Sequence, residues 1–278
     1  MTKAIIAALT AALVLSGCQS AGGPAAPGAG GAAPSPYRVS EADFQKAQAL
    51  HQKVLQSGQV YAPGENPAAT QYLDRIVARI AAQRPPGSVP IRGFIIKDDD
   101  VNAFTTGTGY LYFNRGLIAA LENEAQLAMV VGHEAAHVDA GHLSSGRQTD
   151  TTVSVLTELG SAALEASGVG GLAGTLGSLG VGLAGRRANA YFSQGHELEA
   201  DDIGLAYTMR AGYDGLQAAR AFRVLSMENG SQGRIASFFS THPNSEGRLR
   251  ILAERASATG RPAYIGAQEY AAMLSTLR

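Results

Sequence analysis

The stretch His133-Glu134-Ala135-Ala136-His137 leaves this chain the least freedom. Two histidines four residues apart lie on one helix face about one turn from each other, so both imidazoles can reach a single ion. Glu134 lies about 100° round the helix from His133 and can address a water bound to that ion without ligating it. The surroundings agree with a helix: the pattern from about Asn123 through His142 is helical, and Asn123 with Gln126 has the form of a capping box. Two imidazoles do not complete a catalytic site, which usually takes three protein ligands and leaves one position for water. The fold must therefore carry another donor to this helix. A helical stretch from about Asn189 through Ala211 supplies candidates in His196-Glu197-Leu198-Glu199-Ala200-Asp201-Asp202. Glu197 and Asp201 are four apart and share a face. One can bind the ion while the other takes the N–H of a ligand histidine and fixes its tautomer, and spacing leaves open which does which. Glu199 points elsewhere by helical geometry.

The remaining elements predict an α+β fold that is mainly helical with a small antiparallel sheet. Ser40 with Asp43 caps a helix that continues to about Ser57, where Gly58 stops it. Asn66 caps a second helix with Pro67 in its first turn and an apolar stripe of Leu73, Ile76, Val77 and Ile80, ended by Pro85-Pro86. Both helices are expected to pack on the sheet. Ile91–Ile96, Val101–Phe104 and Gly109–Asn114 are β-prone and separated by Asp98-Asp99-Asp100 and a Thr-Gly-Thr-Gly turn at 106–109. Further helices are expected from Asp214 to Glu228 and from Asn244 to Ala258, the last bearing Arg248, Arg250 and Arg255. Residues 166–185 carry no charge and eight glycines, which suits a lid, a membrane contact or glycine-joined packed helices.

The N-terminus reads as a targeting segment. Lys3 precedes the apolar run Ala4–Leu15, which Leu15-Ser16-Gly17-Cys18 closes, as in a signal peptide. That ending resembles the lipobox of bacterial lipoproteins, which implies cleavage before Cys18 and lipidation on it. Residues 1–17 are then a signal peptide, 18–39 a lipidated cysteine with a flexible tether, and 40–278 the catalytic domain. The tether rests on residues 20–36, which contain only Gly, Ala, Pro and Ser and span roughly 25 Å when flexible. Cys18 is the only cysteine, so disulfides and thiol catalysis drop out. A formal net charge of −1 provides no basic field, so nucleic acid is not an expected partner.

With these residues in view, the sequence resembles the gluzincin metallopeptidases related to HtpX and the CAAX prenyl protease, and most closely their periplasmic BepA/LoiP-like lipoprotein branch. The matching pieces are Asn102-Ala103-Phe104, Gly109–Gly116, His133–His137, Glu197–Asp201 with Gly204, and Thr241-His242-Pro243, across roughly residues 40–258. The resemblance implies a zincin-like domain holding one Zn2+ through His133, His137 and Glu197. It implies Asp201 as support for a ligand histidine and Glu134 as general base. It also implies that Asn102–Phe104 is an edge strand that pairs with extended substrate, the alternative being an interior strand. His242 is implied as an inhibitory fourth ligand or, when displaced, a polariser of the substrate carbonyl, against a structural His-Pro turn. Arg248 is a candidate for oxyanion stabilisation or simply a solvated helix face. His142, nine residues after His133, is expected on the opposite face at the helix C-terminus, where a cation suits the dipole. His196 is at most a flank of the site, and His51 is expected on the surface.

The function implied is a zinc-dependent endopeptidase that hydrolyses unfolded or misassembled envelope proteins in periplasmic and outer-membrane quality control. Gln19 after Cys18, not aspartate, points to a lipid anchor on the periplasmic face of the outer membrane. The alternative is a mainly non-proteolytic chaperone or assembly factor for outer-membrane proteins with a self-inhibited zinc site and possible ties to the assembly machinery. The lack of a visible repeat domain favours the protease. A peptidoglycan amidase would suit the location, but no wall-binding module is visible.

Overall fold

The structure, a computed structural model, describes residues 37–62, 64–143, 192–227, 238–243, 246–257 and 263–277. The expected signal peptide, Cys18, the expected tether up to residue 36, the glycine-rich 166–185 segment and Arg186-Arg187 lie outside the described residues. Helix α1 (Glu41–Gln56) begins where Ser40 Oγ accepts the Asp43 N–H at 3.1 Å. Helix α2 (Pro67–Ala81) begins where Asn66 accepts the Ala69 N–H at 3.1 Å, and it buries Tyr72, Leu73, Ile76, Val77 and Ile80.

The strands β1 (Arg92–Ile96), β2 (Ala103–Thr105) and β3 (Tyr110–Asn114) fall within the β-prone segments. Their sheet is mixed, however, and not antiparallel. The tight turn at 106–109, with Gly107 and Gly109 at φ 74° and 97°, makes β2 and β3 an antiparallel hairpin. Strand β3 then enters between β1 and β2 and runs parallel to β1, giving the order β1-β3-β2. Alternation of apolar residues fixes the face each side chain takes, but it does not fix which strand lies beside which.

Helices cover both faces of this sheet. Ile95, Ala103, Leu111 and Phe113 join the main core with α2, and at Gly93 a Cβ would come within 2.9 Å of Leu73. On the other face Ile96, Phe104 and Tyr112 meet Leu50 and Val54 of α1. His51 belongs to that layer and is not a surface residue: only 7% exposed, its Nδ1 lies 2.8 Å from Tyr112 Oη and its ring stacks on Tyr110 at 4.3 Å. A half-polar ring can be buried where it finds both an aromatic face and a hydroxyl.

After the short α3 (Arg115–Ala120), helix α4 (Glu124–Asp139) runs through the middle of the fold, buried at every position from Glu124 to Val138. A helix buried all round has no polar face to mark it as amphipathic. It packs on α2, β2, α5 (Gln194–Arg210) and α6 (Gly215–Met227). At the α4–α5 contact two glycines meet. A Cβ on Gly204 would lie 2.7 Å from the His133 backbone N, and one on Gly132 would lie 2.7 Å from the Gly204 carbonyl oxygen. Only bare backbone on both sides allows this approach. The short α7 (Phe238–Thr241), α8 (Glu246–Ser257) and α9 (Ala267–Leu274) complete the described body. Sequence periodicity anticipates α8 but not α7 or α9; α9 starts from Gly266 in the left-handed region without a side-chain cap, so its start carries no capping signature. No helix among the described residues is long and apolar enough to cross a membrane.

Candidate metal centre

Helix α4 presents His133 and His137 on one face, and the two glycines bring the first turn of α5 against it. Ser193 caps α5 by accepting the His196 N–H at 3.1 Å, which places Glu197 in that first turn. His242 closes the group from the end of α7: its N–H donates to the Phe238 carbonyl at 2.8 Å and its ring stacks on Phe238 at 4.4 Å. One donor atom from each of His133, His137, Glu197 and His242 lies within 4.8 Å of the others, and all four residues are buried.

The spacing suits a shared cation. His133 Nε2 is 3.0 Å from His137 Nε2 and 3.2 Å from His242 Nδ1. Glu197 Oε1 is 3.4 Å from His137 Nε2 and 3.1 Å from His242 Nδ1, and Oε2 is 3.6 Å from His133 Nε2. Ligands at about 2.0–2.1 Å from a tetrahedral ion stand roughly 3.3 Å apart. Two imidazoles, a third ring and one carboxylate form a donor set that fits zinc. Burial drives the His137 pKa well down, which keeps a lone pair available. Burial also opposes ionisation of Glu197, but His242, His137 and His133 outweigh it and hold this carboxyl well below its usual range.

Glu134 behaves differently. It is fully buried, neither carboxylate oxygen accepts a hydrogen bond among the described residues, and burial raises its pKa. Its nearest cationic candidate is His242, whose Nε2 stands 3.5 Å from Oε1. Burial lowers the His242 pKa less than Glu197 and Glu134 raise it, so the net shift is upward. A buried carboxylate left without partners is costly, and such groups occur where a reactant supplies the missing contact.

Asp201 Oδ1 lies 3.0 Å from His133 Nδ1, the nitrogen facing away from the donor group. Arg248 does not lie on a solvated helix face. It is 2% exposed, not solvated, and its guanidinium grips Asp201 in bidentate fashion at 2.7 and 2.8 Å. It also reaches Glu197 Oε2 at 2.7 Å and the Pro243 carbonyl at 2.6 Å. These contacts fix its guanidinium on two carboxylates and a carbonyl. Its effect is to neutralise Asp201 and Glu197 and to tie the His242-Pro243 segment to α5.

His142 also departs from expectation. The opposite face would follow from a continuing helix, but α4 ends at Asp139 and Gly141 turns the chain at φ 67°. The His142 ring therefore lies beside His137, Nδ1 to Nδ1 at 2.9 Å, with Nε2 3.2 Å from Glu199 Oε2. Burial lowers its pKa, which disfavours a cation at this position. Glu199 thus does face the site's periphery, and His196 stacks on His142 at 4.4 Å. Phe192 stacks on His137 at 3.8 Å, a contact with no sequence signal.

Asn102, Ala103 and Phe104 lie at the start of and within β2, the edge strand of the sheet. Asn114 N–H donates to Asn102 O and Thr106 N–H to Tyr110 O, so ladder alternation turns the N–H and C=O of Ala103 and Thr105 away from β3, on a strand buried at all three positions. The Phe238 N–H donates to Val101 O at 3.1 Å, tying the start of this edge to the segment that carries His242.

Comparison with known proteins adds a family context. The model of peptidase family M48 matches residues 67–256. The chain is similar to metalloprotease LoiP of Escherichia coli strain K12, 29% identical over 262 residues that cover 93% of this chain and 98% of that protein. The beta-barrel assembly-enhancing protease of the same strain is 32% identical over 219 residues, 76% of this chain but only 44% of the relative, so the chain spans less than half of that protein's length. Mitochondrial metalloendopeptidase OMA1 of Schizosaccharomyces pombe is 31% identical over 215 residues, covering 76% and 61% of the two chains.

Proposed function

The chain belongs to peptidase family M48, and on that premise we propose that it is a zinc-dependent endopeptidase acting on unfolded or misassembled proteins of the bacterial envelope. The observation that carries this reading is the convergence of four buried donors beside a carboxylate, Glu134, that has no hydrogen-bond partner among the described residues. His133, His137 and Glu197 hold one Zn2+, and Asp201 fixes the His133 ring while Arg248 balances both carboxylates. When bound there, zinc would supply an acidified water and polarisation of a peptide carbonyl. Glu134 takes the proton from that water and later delivers it to the leaving amine. The outward side of β2 at Ala103 and Thr105, both buried, is the candidate to pair with an extended substrate strand through backbone hydrogen bonds.

His242 supplies the fourth buried donor of the group, so a reacting water would need that ring to move aside. This observation also favours the second reading, an assembly factor or chaperone for outer-membrane proteins whose zinc site stays mostly shut. The Lys3–Cys18 pattern supports lipid anchoring at Cys18, with the outer membrane's periplasmic face as the location. The name of the beta-barrel assembly-enhancing relatives supports substrates or partners among assembling outer-membrane proteins. Incubating the full chain with an unfolded protein, with and without a zinc chelator, tests the function. Fragments that disappear with chelator are expected; suppressed aggregation without fragments at any metal level would replace the protease by the chaperone.

A further inference from the structure

We propose that His142 is a positioning residue for the metal site, holding the His137 ring through a one-way hydrogen-bond chain that runs on to Glu199. The inference rests on the zinc reading of the donor group and concerns a residue outside it. Local backbone geometry creates the contact. At the end of α4 the Gly141 N–H donates to Val138 O at 3.2 Å and the His142 N–H to His137 O at 3.1 Å, the paired bonds of a Schellman motif. That motif folds the residue after the left-handed glycine back over the helix's last turn, which here sets His142 against His137.

The tautomers follow from donor counting. His137 Nε2 faces the other three donors, so with a metal there it offers a lone pair and the ring's proton sits on Nδ1. Nδ1–H then donates to His142 Nδ1 at 2.9 Å, which must accept, leaving the His142 proton on Nε2 to donate to Glu199 Oε2 at 3.2 Å. Every nitrogen in the chain has one role. His196, stacked on His142 at 4.4 Å, and Phe192, stacked on His137 at 3.8 Å, hold both ring planes. His133 and His137 are therefore supported differently, the first by a buried carboxylate and the second by an imidazole whose own partner, Glu199, is 56% exposed.

Loss of such outer partners typically weakens metal binding about 10–100-fold. The test measures zinc affinity by chelator competition and the absorption spectrum of the cobalt-substituted full chain, beside the thermal midpoint of the metal-free form. His142→Phe keeps a stacking ring but cannot accept; it is expected to weaken zinc about 10–100-fold and to alter the cobalt bands, with the metal-free midpoint changed little. His142→Asn places an acceptor oxygen at the position of Nδ1 and should restore most of the affinity and the wild-type bands. Glu199→Gln, on the exposed end, should produce a smaller shift of the same kind. Wild-type affinity and bands in His142→Phe, or an Asn variant no better than Phe, would overturn the proposal. If His142→Phe does not fold, Glu199→Gln and His142→Asn decide alone, and an unchanged Glu199→Gln spectrum with weak binding in His142→Asn counts against it. Absence of metal from the wild-type chain would instead overturn the zinc reading.

Discussion

Helix α4 carries a buried glutamate near each end, and the two are kept for opposite reasons. Glu124, 7% exposed, accepts the hydroxyls of Tyr72 and Tyr213 at 2.6 Å each and pairs with Arg79 at 3.3 Å. It pins α2 and the turn after α5 to the start of the helix. Glu134, ten positions on, is 0% exposed and accepts nothing among the described residues. Residue type, helix and burial are the same; what separates them is whether the neighbours complete the carboxylate. A completed one is structure, and an incomplete one waits for a reactant.

Substitutions can break this comparison. The largest effect is expected from Glu134→Gln, which should lower cleavage by about 10²–10⁴-fold, the range of general-base catalysis, with zinc content and thermal midpoint at wild-type levels. A variant that cleaves normally would remove the base. Glu124→Ala should do the reverse: it strands two tyrosine hydroxyls and costs on the order of 3 kcal/mol of stability by denaturant unfolding, while the zinc stoichiometry of the folded fraction stays at one. Gly204→Ala strikes between the two. Its methyl meets the His133 backbone, so about 1–3 kcal/mol is lost by overpacking and zinc affinity should fall with it. Affinity unchanged at reduced stability would mean that the helices can separate without disturbing the ligands.

His51 sharpens the same point with the smallest effect. It resembles Glu124 in being buried and satisfied, by the Tyr112 hydroxyl. Burial, with Arg92 nearby, lowers its pKa below the ordinary 6.5. The folded state thus binds fewer protons than the unfolded one, so this contribution is whole above pH ~6.5 and is lost as the pH falls through the lowered folded value. His51→Phe should cost about 1 kcal/mol at neutral pH and flatten the fall of stability between neutral and mildly acidic pH. Equal slopes for both proteins would assign the acid sensitivity elsewhere.

The sequence made some of this legible because the governing signals are local. Ser40, Asn66 and Asn123 announce helix starts, and the four-residue spacing within α4 and within α5 places donors on a face. What spacing could not express were events beyond one element. The order of the strands depends on β3 entering between two others. The position of His142 depends on a left-handed glycine that ends the helix three residues earlier than its phase was counted. Arg248 looked like one of several arginines on a solvent face, and only the packing of α8 against α5 delivers it to Asp201 and Glu197. Which carboxylate faces the donor group was likewise open in the sequence and follows in the structure from how α5 docks.

That docking surface has a consequence for how accurately the ion can be held. Side chains between helices act as compressible spacers, since rotamers adjust to absorb small displacements. At Gly132 and Gly204 the spacer is missing and main chain rests on main chain, so the gap separating the paired imidazoles from the distant carboxylate inherits the stiffness of hard-sphere repulsion. The spacing of the two donor-bearing helices is thereby set at two positions that carry no side chain and lie outside the donor group.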